Sequence, residues 1–410
     1  EHTLHVGSVM NGRDEIDTAV ASLFKAPRSY TGEDVVELSC HGSPTVLKEI
    51  VDLCVTRGAR HAGPGEFTQR AYLNGKMDLA QAEAVADLIH ARSTRARQAA
   101  QRQLHGMLSE KINFIRQKCV DGLARIEANL DFVEEDIPGT PRTETERTLK
   151  EIHTGLRELV ETSLKGRVLV EGIRVALVGR PNVGKSSLFN ALLAQDRSIV
   201  TDVPGTTRDM LEERIIWDGF QFVFMDTAGL RDTADPVEKI GADKTRSAKQ
   251  SADIIAVILD GSTPLEPDDE SLLEKVKARQ RVYVFNKKDK GLKLDSKKVT
   301  KKFGLAPSVE ISALKRTGLD EFKSILLNLM PSLKEPREND VVVSNMRHVR
   351  HLEAALSAIQ KAMAALKENK PEESVSVDIR AGLEEIGKVT GESITEEVLT
   401  SIFKQFCIGK

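Results

Sequence analysis

Residues 179 to 186 read Gly-Arg-Pro-Asn-Val-Gly-Lys-Ser, a glycine-spaced loop that ends in a lysine and a hydroxyl. That spacing suits phosphate. Glycines leave backbone N–H groups free to cradle phosphate oxygens, Lys185 reaches the β- and γ-phosphates, and Ser186 offers an oxygen to Mg²⁺. Asn182, Val183, Gly184 and Ser187 complete the cradle. A chance glycine turn is the competing reading, and three later segments remove it. Asp226-Thr-Ala-Gly229 follows the apolar run Phe220 to Met225, so Asp226 can hold Mg²⁺ through water while the Gly229 N–H meets the γ-phosphate, with Thr227 and Ala228 between them. Asn286-Lys287-Lys-Asp289 follows Val282-Tyr-Val-Phe285, and the Asp289 carboxylate can accept from two adjacent N–H donors that guanine has and adenine lacks. Ser312-Ala313-Leu314 follows Ser308-Val-Glu-Ile311 and would close over the base. Together these motifs predict a guanine-specific nucleotide switch.

One position departs from Ras-like switches. The residue after the glycine of Asp226-Thr-Ala-Gly229 is Leu230, where such switches carry the glutamine that orients the attacking water. Leucine neither donates nor accepts, so water must be positioned by another group. The following segment offers Glu238, read from local sequence either as a water-positioning carboxylate or as a solvated loop acid.

These motifs need strands to carry them. Arg174-Val-Ala-Leu-Val178 is an apolar, β-branched strand leading into the phosphate loop, and Ser187 to Leu193 starts a helix behind it. A Ras-like α/β domain with a doubly wound, mostly parallel sheet is therefore predicted over residues 172–330. Amphipathic helices flank it. Ile112, Ile115, Cys119, Ile126, Leu130 and Val133 form one stripe, and Leu149, Ile152, Leu156 and Leu159 form another. Beyond the α/β unit come Val349, Leu352, Leu356, Ile359, Met363 and Leu366, then Ile379, Leu383 and Ile386, then Val398, Leu399, Ile402 and Phe403. Such helices cannot bury their stripes alone, so residues 77–171 and 331–410 are expected to pack as one bundle with the GTPase inserted in a loop. Lys165-Gly166 and Met330-Pro331 mark the expected edges.

Length and charge frame this reading. At 410 residues the chain holds two or three domains, and a net charge of −3 with 30% charged residues gives no global nucleic-acid footprint. Arg92, Arg95, Arg97 and Arg102 form a local basic run, readable as a phosphate contact or as a solvated helix face. Cys40, Cys54, Cys119 and Cys407 form no Cys-x-x-Cys pair, which fits free thiols in a reducing compartment. No apolar run approaches the ~18 residues that span a membrane, and no signal peptide is visible. The sequence begins with Glu1, so a missing N-terminus is expected. The opening residues 1–76 are turn-rich: Pro27 to Leu38 runs from a turn into a strand, and Gly63 to Lys76 reads as a long loop leading into a helix.

Taken together, the chain resembles the MnmE (TrmE) family of tRNA-modifying GTPases along its whole length. The resemblance is carried by Ser29-Tyr-Thr-Gly-Glu-Asp34, Gly63-Pro-Gly-Glu-Phe-Thr68, Asn74-Gly-Lys-Met-Asp-Leu79, Gln81-Ala-Glu-Ala84, Gly205-Thr-Thr-Arg-Asp209 and the ending Phe406-Cys-Ile-Gly-Lys410. The ending is the most specific signal, and it makes a poor prenylation box. The resemblance implies an N-terminal α/β domain over 1–76 that binds a tetrahydrofolate derivative (methylene or formyl) and dimerises, with Glu37, Lys76 and Lys410 at the folate. It implies GTP hydrolysis by paired GTPase domains around K⁺ held by Asn182, Thr201, Val203 and Thr206. Thr207 would join Ser186 on Mg²⁺, Thr201, Thr206 and Thr207 would line the nucleotide, and Arg208 and Asp209 would act as switch residues. It selects Glu238 as the catalytic carboxylate, while Cys407 stays open between a catalytic thiol and a small apolar packing residue. The implied reaction is aminomethyl-type (carboxymethylaminomethyl) modification of C5 of the wobble uridine in tRNA, with an MnmG-type protein that carries the FAD. The implied assembly is a homodimer joined by that protein in a heterotetramer or larger complex. The compartment would be the bacterial cytoplasm, or the mitochondrion in a eukaryote. The alternative is a ribosome-assembly or translation-factor GTPase without folate, which leaves the N-terminal segments and the ending unexplained.

Overall fold

A computed structural model describes residues 2–131, 141–195, 212–226, 252–276, 280–330 and 341–409. The chain divides into two compact units, one of Glu1–Ala91, Arg97–Ser163 and Val341–Lys410, the other of Arg92–Ala96 and Leu164–Asp340. In the first unit, β1 (His2–Asn11) and β2 (Asp14–Phe24) form an antiparallel hairpin that turns at Gly12, whose φ of +66° suits glycine. β3 (Val35–Ser39) adds to the other edge of β2. Helix α1 (Pro44–Thr56) follows, with its proline at the first helical position.

The segment Gly63 to Lys76, expected as a loop, contains helix α2 (Glu66–Leu73). The reason lies in Glu66, which accepts from the Gly63 N–H at 2.9 Å and from Arg70, one turn on, at 2.7 Å. These bonds nucleate a turn that the glycine and proline content conceals. Helix α3 (Leu79–His90) opens on a capping box in which Gln81 N–H donates to Asp78 at 2.9 Å and Asp78 N–H donates to Gln81 at 3.0 Å. Then come α4 (Thr94–Leu104), α5 (Met107–Asp131), α6 (Arg142–Glu161) and α7 (Ser163–Glu171), the last belonging to the second unit from Leu164 onward. Helix α7 runs through the Lys165-Gly166 pair that reads as a boundary, with Gly166 buried in it.

The second unit is built on β4 (Ile173–Val178), α8 (Lys185–Gln195), β5 (Glu212–Trp217), β6 (Phe220–Asp226), β7 (Ile254–Asp260), α9 (Pro267–Val276), β8 (Arg281–Asn286), α10 (Ser296–Phe303), β9 (Ser308–Glu310) and α11 (Leu319–Asn328). The sheet order is β5-β6-β4-β7-β8-β9, with β5 antiparallel to β6 and every other pair parallel. Strand β8 is buried at every residue, and β4 and β7 nearly so, as a parallel sheet covered on both faces requires. The phosphate loop, Asp226, Asn286 and Ser312 all lie at or just beyond the carboxyl ends of parallel strands, where ligands of open α/β sheets bind.

Helices α12 (Met346–Lys367), α13 (Glu372–Thr390) and α14 (Glu396–Phe403) return to the first unit. Ile112, Ile115, Cys119 and Ile126 of α5, Leu149, Ile152, Leu156 and Leu159 of α6, and Val349, Leu352, Ile359 and Leu366 of α12 share one core with Ile379 and Ile386 of α13. The two sequence-distant halves thus bury their stripes against each other, as their periodicity predicts. Val398 departs from its stripe. It is 41% exposed because the turn spacing Leu399, Ile402, Phe403 sets the buried face of α14 without it.

Candidate nucleotide site and C-terminal tail

The phosphate loop is shaped by close backbone contacts. A Cβ on Gly179 would run into the Ile258 carbonyl of β7 and come within 2.9 Å of Val183 Cγ2, so only glycine fits there. Asn182 (φ +61°) and Gly184 (φ +98°) take left-handed conformations on either side of buried Val183. Lys185, 7% exposed, donates from Nζ to the carbonyls of Gly179 and Arg180 at 2.9 Å each, so its ammonium is held across the loop. Ser186 and Ser187 are exposed on the first turn of α8, where free N–H groups and the helix dipole favour an anion. Arg180 supplies an anchor: it pairs with Glu266 at 2.6 Å and Asp269 at 3.1 Å, and donates to Thr263 at 3.1 Å.

The second half of the site is tied to the first by Asn286. This residue is 2% exposed; its Nδ2 donates to the Val183 carbonyl at 2.9 Å and its Oδ1 accepts from Ala313 N–H at 3.0 Å. One carboxamide therefore joins the phosphate loop to the Ser312-Ala313-Leu314 segment. Lys287, left-handed at φ +65°, donates from Nζ to Asp260 Oδ2 at 2.6 Å. Asp260 also accepts from the Ser262 hydroxyl at 2.6 Å and N–H at 3.0 Å. Burial pushes the Asp260 carboxyl up, but the Lys287 and Ser262 bonds outweigh it and hold the group below its ordinary value. Asp289 lies below its ordinary value too, chiefly because the Ser312 hydroxyl donates to its Oδ1. It is thus presented as an ionised acceptor, which is what paired N–H donors of a base require. Ala313 is buried and Leu314 is exposed beside it.

In the first unit the chain's ending docks on the N-terminal segment. Gly65 N–H donates to the Cys407 carbonyl at 3.3 Å, and Pro64 pairs with Ile408 in an antiparallel bridge. Gly65 has φ +66°, and a Cβ there would lie 3.0 Å from the Phe403 carbonyl and from Phe406. Phe403 and Phe406, with ring centroids 5.2 Å apart, are buried with Leu79 and Ala82 of α3. Cys407 itself is exposed. Glu37 is exposed on β3 opposite Ser22, and Lys76 Nζ donates to the Pro27 carbonyl at 3.0 Å.

The two ends of the chain that meet here are also the ones that distinguish it from other GTPases. Residues 1–76 match the family described as GTP-binding protein TrmE N-terminus, and residues 79–407 match the MnmE helical domain. The chain belongs to the MnmE family. It is 41% identical to the tRNA modification GTPase MnmE of Levilactobacillus brevis, over 100% of this chain and 89% of that protein. The MnmE of Clostridioides difficile is 40% identical over 100% and 89%, and that of Aquifex aeolicus 41% over 99% and 90%. MnmE membership leaves the ribosome-assembly reading without support.

Several MnmE-type site positions fall outside the described residues: Thr201, Val203, Thr206, Thr207, Arg208, Asp209, Thr227, Ala228, Gly229, Glu238 and Lys410. Asp226 closes β6, with Leu177 of β4 beside it in register. Two anchoring residues escaped the sequence reading. Asp260 had a signal, since it ends the apolar run Ile254 to Leu259 and precedes a glycine, as Asp226 ends its own run. Arg180 had none, because its partners Thr263, Glu266 and Asp269 lie more than 80 residues on, around the start of α9, in no motif. Among the described residues no helix is long and apolar enough to cross a membrane.

Proposed function

We propose that this chain is a K⁺-stimulated GTPase which, with an MnmG-type FAD protein, modifies C5 of the wobble uridine of tRNA with an aminomethyl-type (carboxymethylaminomethyl) group, the one-carbon unit coming from a tetrahydrofolate derivative. The observation that carries this reading is the seating of Phe406-Cys407-Ile408 on Gly63-Pro64-Gly65 in a chain that also holds a guanine-nucleotide site. A bare nucleotide switch has no use for such a docked tail.

The residues take the following parts. Lys185 and the N–H groups around Gly184 hold the phosphates, Asp289 reads the base, and Asn286 keeps the two in register. Ser186 and Thr207 would hold Mg²⁺; Asn182, Thr201, Val203 and Thr206 would hold K⁺. Asn182 suits this role, since its amide oxygen is a neutral, hard donor on an exposed residue of the loop. A bound cation supplies positive charge against the charge that develops on the transferring phosphoryl group. Glu238 positions the attacking water, and Arg208 and Asp209 belong to the switch. Glu37, Lys76 and Lys410 take the folate; Lys76 can exchange its neutral carbonyl partner for the anionic tail of that ligand. The functional unit is a homodimer, joined by the FAD protein and tRNA.

GTP turnover by the purified protein in KCl against NaCl at matched ionic strength tests the cation, and equilibrium dialysis with 5-formyltetrahydrofolate tests the folate site. The proposal expects faster turnover in K⁺ and binding that Glu37→Ala weakens. Equal rates in the two salts, or no folate binding, would each remove that part of it.

A further inference from the structure

The first unit buries a cluster of charge of its own. Glu83 of α3 is 7% exposed, Arg347 sits on the first turn of α12, and His348 beside it is 0% exposed. Arg347 donates from Nε to Glu83 Oε1 at 2.9 Å and from Nη2 to Oε2 at 2.7 Å, and His348 Nε2 donates to Oε2 at 2.6 Å. Burial alone would raise Glu83, but His348 and Arg347 outweigh it and bring its carboxyl down to about 2. The same guanidinium turns outward to a third element: Nη1 donates to the carbonyl of Lys388, and Nη2 to that of Val389 at 3.1 Å.

Those carbonyls belong to the last turn of α13, where backbone acceptors lack partners within the helix. The chain leaves α13 through Gly391, whose left-handed backbone (φ +98°) packs so tightly that a Cβ would lie 2.7 Å from Tyr72 Oη and 2.9 Å from Leu79 Cβ. Tyr72 donates to the Gly391 carbonyl at 2.8 Å. From there α14 lays Phe403 on Leu79 and Ala82, four and one residues before Glu83 on α3, and the next turn brings Cys407 to Gly65. The guanidinium thus ties the end of α13 to α3, while Tyr72, Leu79 and Ala82 hold the segment that leads from α13 to the docked tail.

We propose that Arg347, oriented by Glu83, is a positioning residue that sets where the Cys407-bearing tail meets the N-terminal domain. The proposal rests on the reading that this tail serves the modification site, but its geometry is independent of that reading. A planar five-donor group can make both bonds to the carboxylate and one to each of the two carbonyls; a lysine ammonium, with three donors, cannot make all four. Displacing the tail by about an ångström would slow tRNA modification between about 10- and 100-fold, while the nucleotide motifs of the second unit keep their own contacts.

The test uses full-length Arg347→Ala, Arg347→Lys and Glu83→Gln proteins with three readouts. These are GTP turnover, wobble-uridine modification with the FAD protein present, and the iodoacetamide alkylation rate of Cys407 followed by peptide mass spectrometry. The expected result is alkylation accelerated about threefold or more in Arg347→Ala and less in Arg347→Lys. Modification should fall in the same order, with GTP turnover within about twofold of wild type. If Arg347→Ala does not fold, the lysine and glutamine variants carry the comparison. Alkylation and modification at wild-type rates in folded variants would overturn the proposal, as would loss of GTP turnover in step with modification, which marks a general structural role. A wild-type protein that modifies no tRNA would sink the proposed function, yet the Cys407 rates would still decide this inference.

Discussion

The carboxamide of Asn286 donates to the carbonyl of Val183 at 2.9 Å across 103 residues of chain, so the end of β8 is tied directly to the phosphate loop. Asn286→Ala orphans the Val183 carbonyl and the Ala313 N–H together, each a buried polar group whose loss of partner costs ~1–3 kcal/mol. GDP affinity should fall by about 10- to 100-fold, measured by anisotropy of a fluorescent GDP analogue. Wild-type affinity in a folded Asn286→Ala protein would mean that the brace does not matter to binding.

On the proposed reading, Asp289 selects the base. Ser312 keeps its carboxyl ionised and oriented, so two guanine N–H donors find two acceptors. Asp289→Asn replaces one acceptor with a donor, which suits a base bearing a carbonyl in place of the exocyclic amine. Preference should move from GTP toward xanthosine triphosphate by about 100-fold or more, read from competition between the two nucleotides. An unchanged preference would show that the base is read elsewhere.

What the sequence made legible follows from how local each signal is. The phosphate loop, Asp226, Asn286-Lys-Lys-Asp289 and Ser312-Ala-Leu314 each sit at the end of an apolar run, so residue type and position in the strand declare them without any tertiary information. The stripes of α5, α6 and α12 were equally plain, because a 3.6-residue period persists over several turns. Helix α2 was hidden, since its start depends on Glu66 reaching Gly63, Arg60 and Arg70 rather than on intrinsic preference. The Glu83–Arg347 pair was invisible for a stronger reason: its partners lie 264 residues apart, and neither residue type announces burial. Arg180 and Asp260 belong with it, as residues whose work is to hold the site rather than to touch the ligand.

The seat of the tail is testable at Gly65. A side chain there meets both an unfavourable left-handed backbone and the Phe403 carbonyl, so Gly65→Ala should destabilise the first unit by roughly 1–3 kcal/mol. Hydrogen exchange should rise over residues 396–409 ahead of the helical core. Protection equal to wild type across that segment would contradict the docking described here.

Asp87, one turn beyond Glu83 on α3, is pushed up to about 6, first by burial and then by the charge of Glu83. A carboxyl raised above its unfolded value of 3.8 favours the fold while protonated, and that contribution disappears as pH rises from about 4 through about 6. Asp87→Asn, which cannot ionise, should therefore be more stable than wild type at pH 7.5 by about 1–2 kcal/mol after allowance for the partial exposure of the group. The gain should shrink to nothing near pH 4. Thermal melts of the pair across that range check it, and a difference that does not vary with pH would place the cause outside Asp87 ionisation.

The central claim is that GTP hydrolysis here serves modification of tRNA. The direct measurement is mass spectrometry of nucleosides from digested tRNA of cells lacking the gene, alone or carrying the wild-type or the Glu238→Ala protein. The account predicts that aminomethyl-type wobble uridines vanish in the null, return with wild type and stay absent with Glu238→Ala. Nucleosides that persist unchanged in the null would contradict it, and full restoration by Glu238→Ala would show that modification does not need that carboxylate.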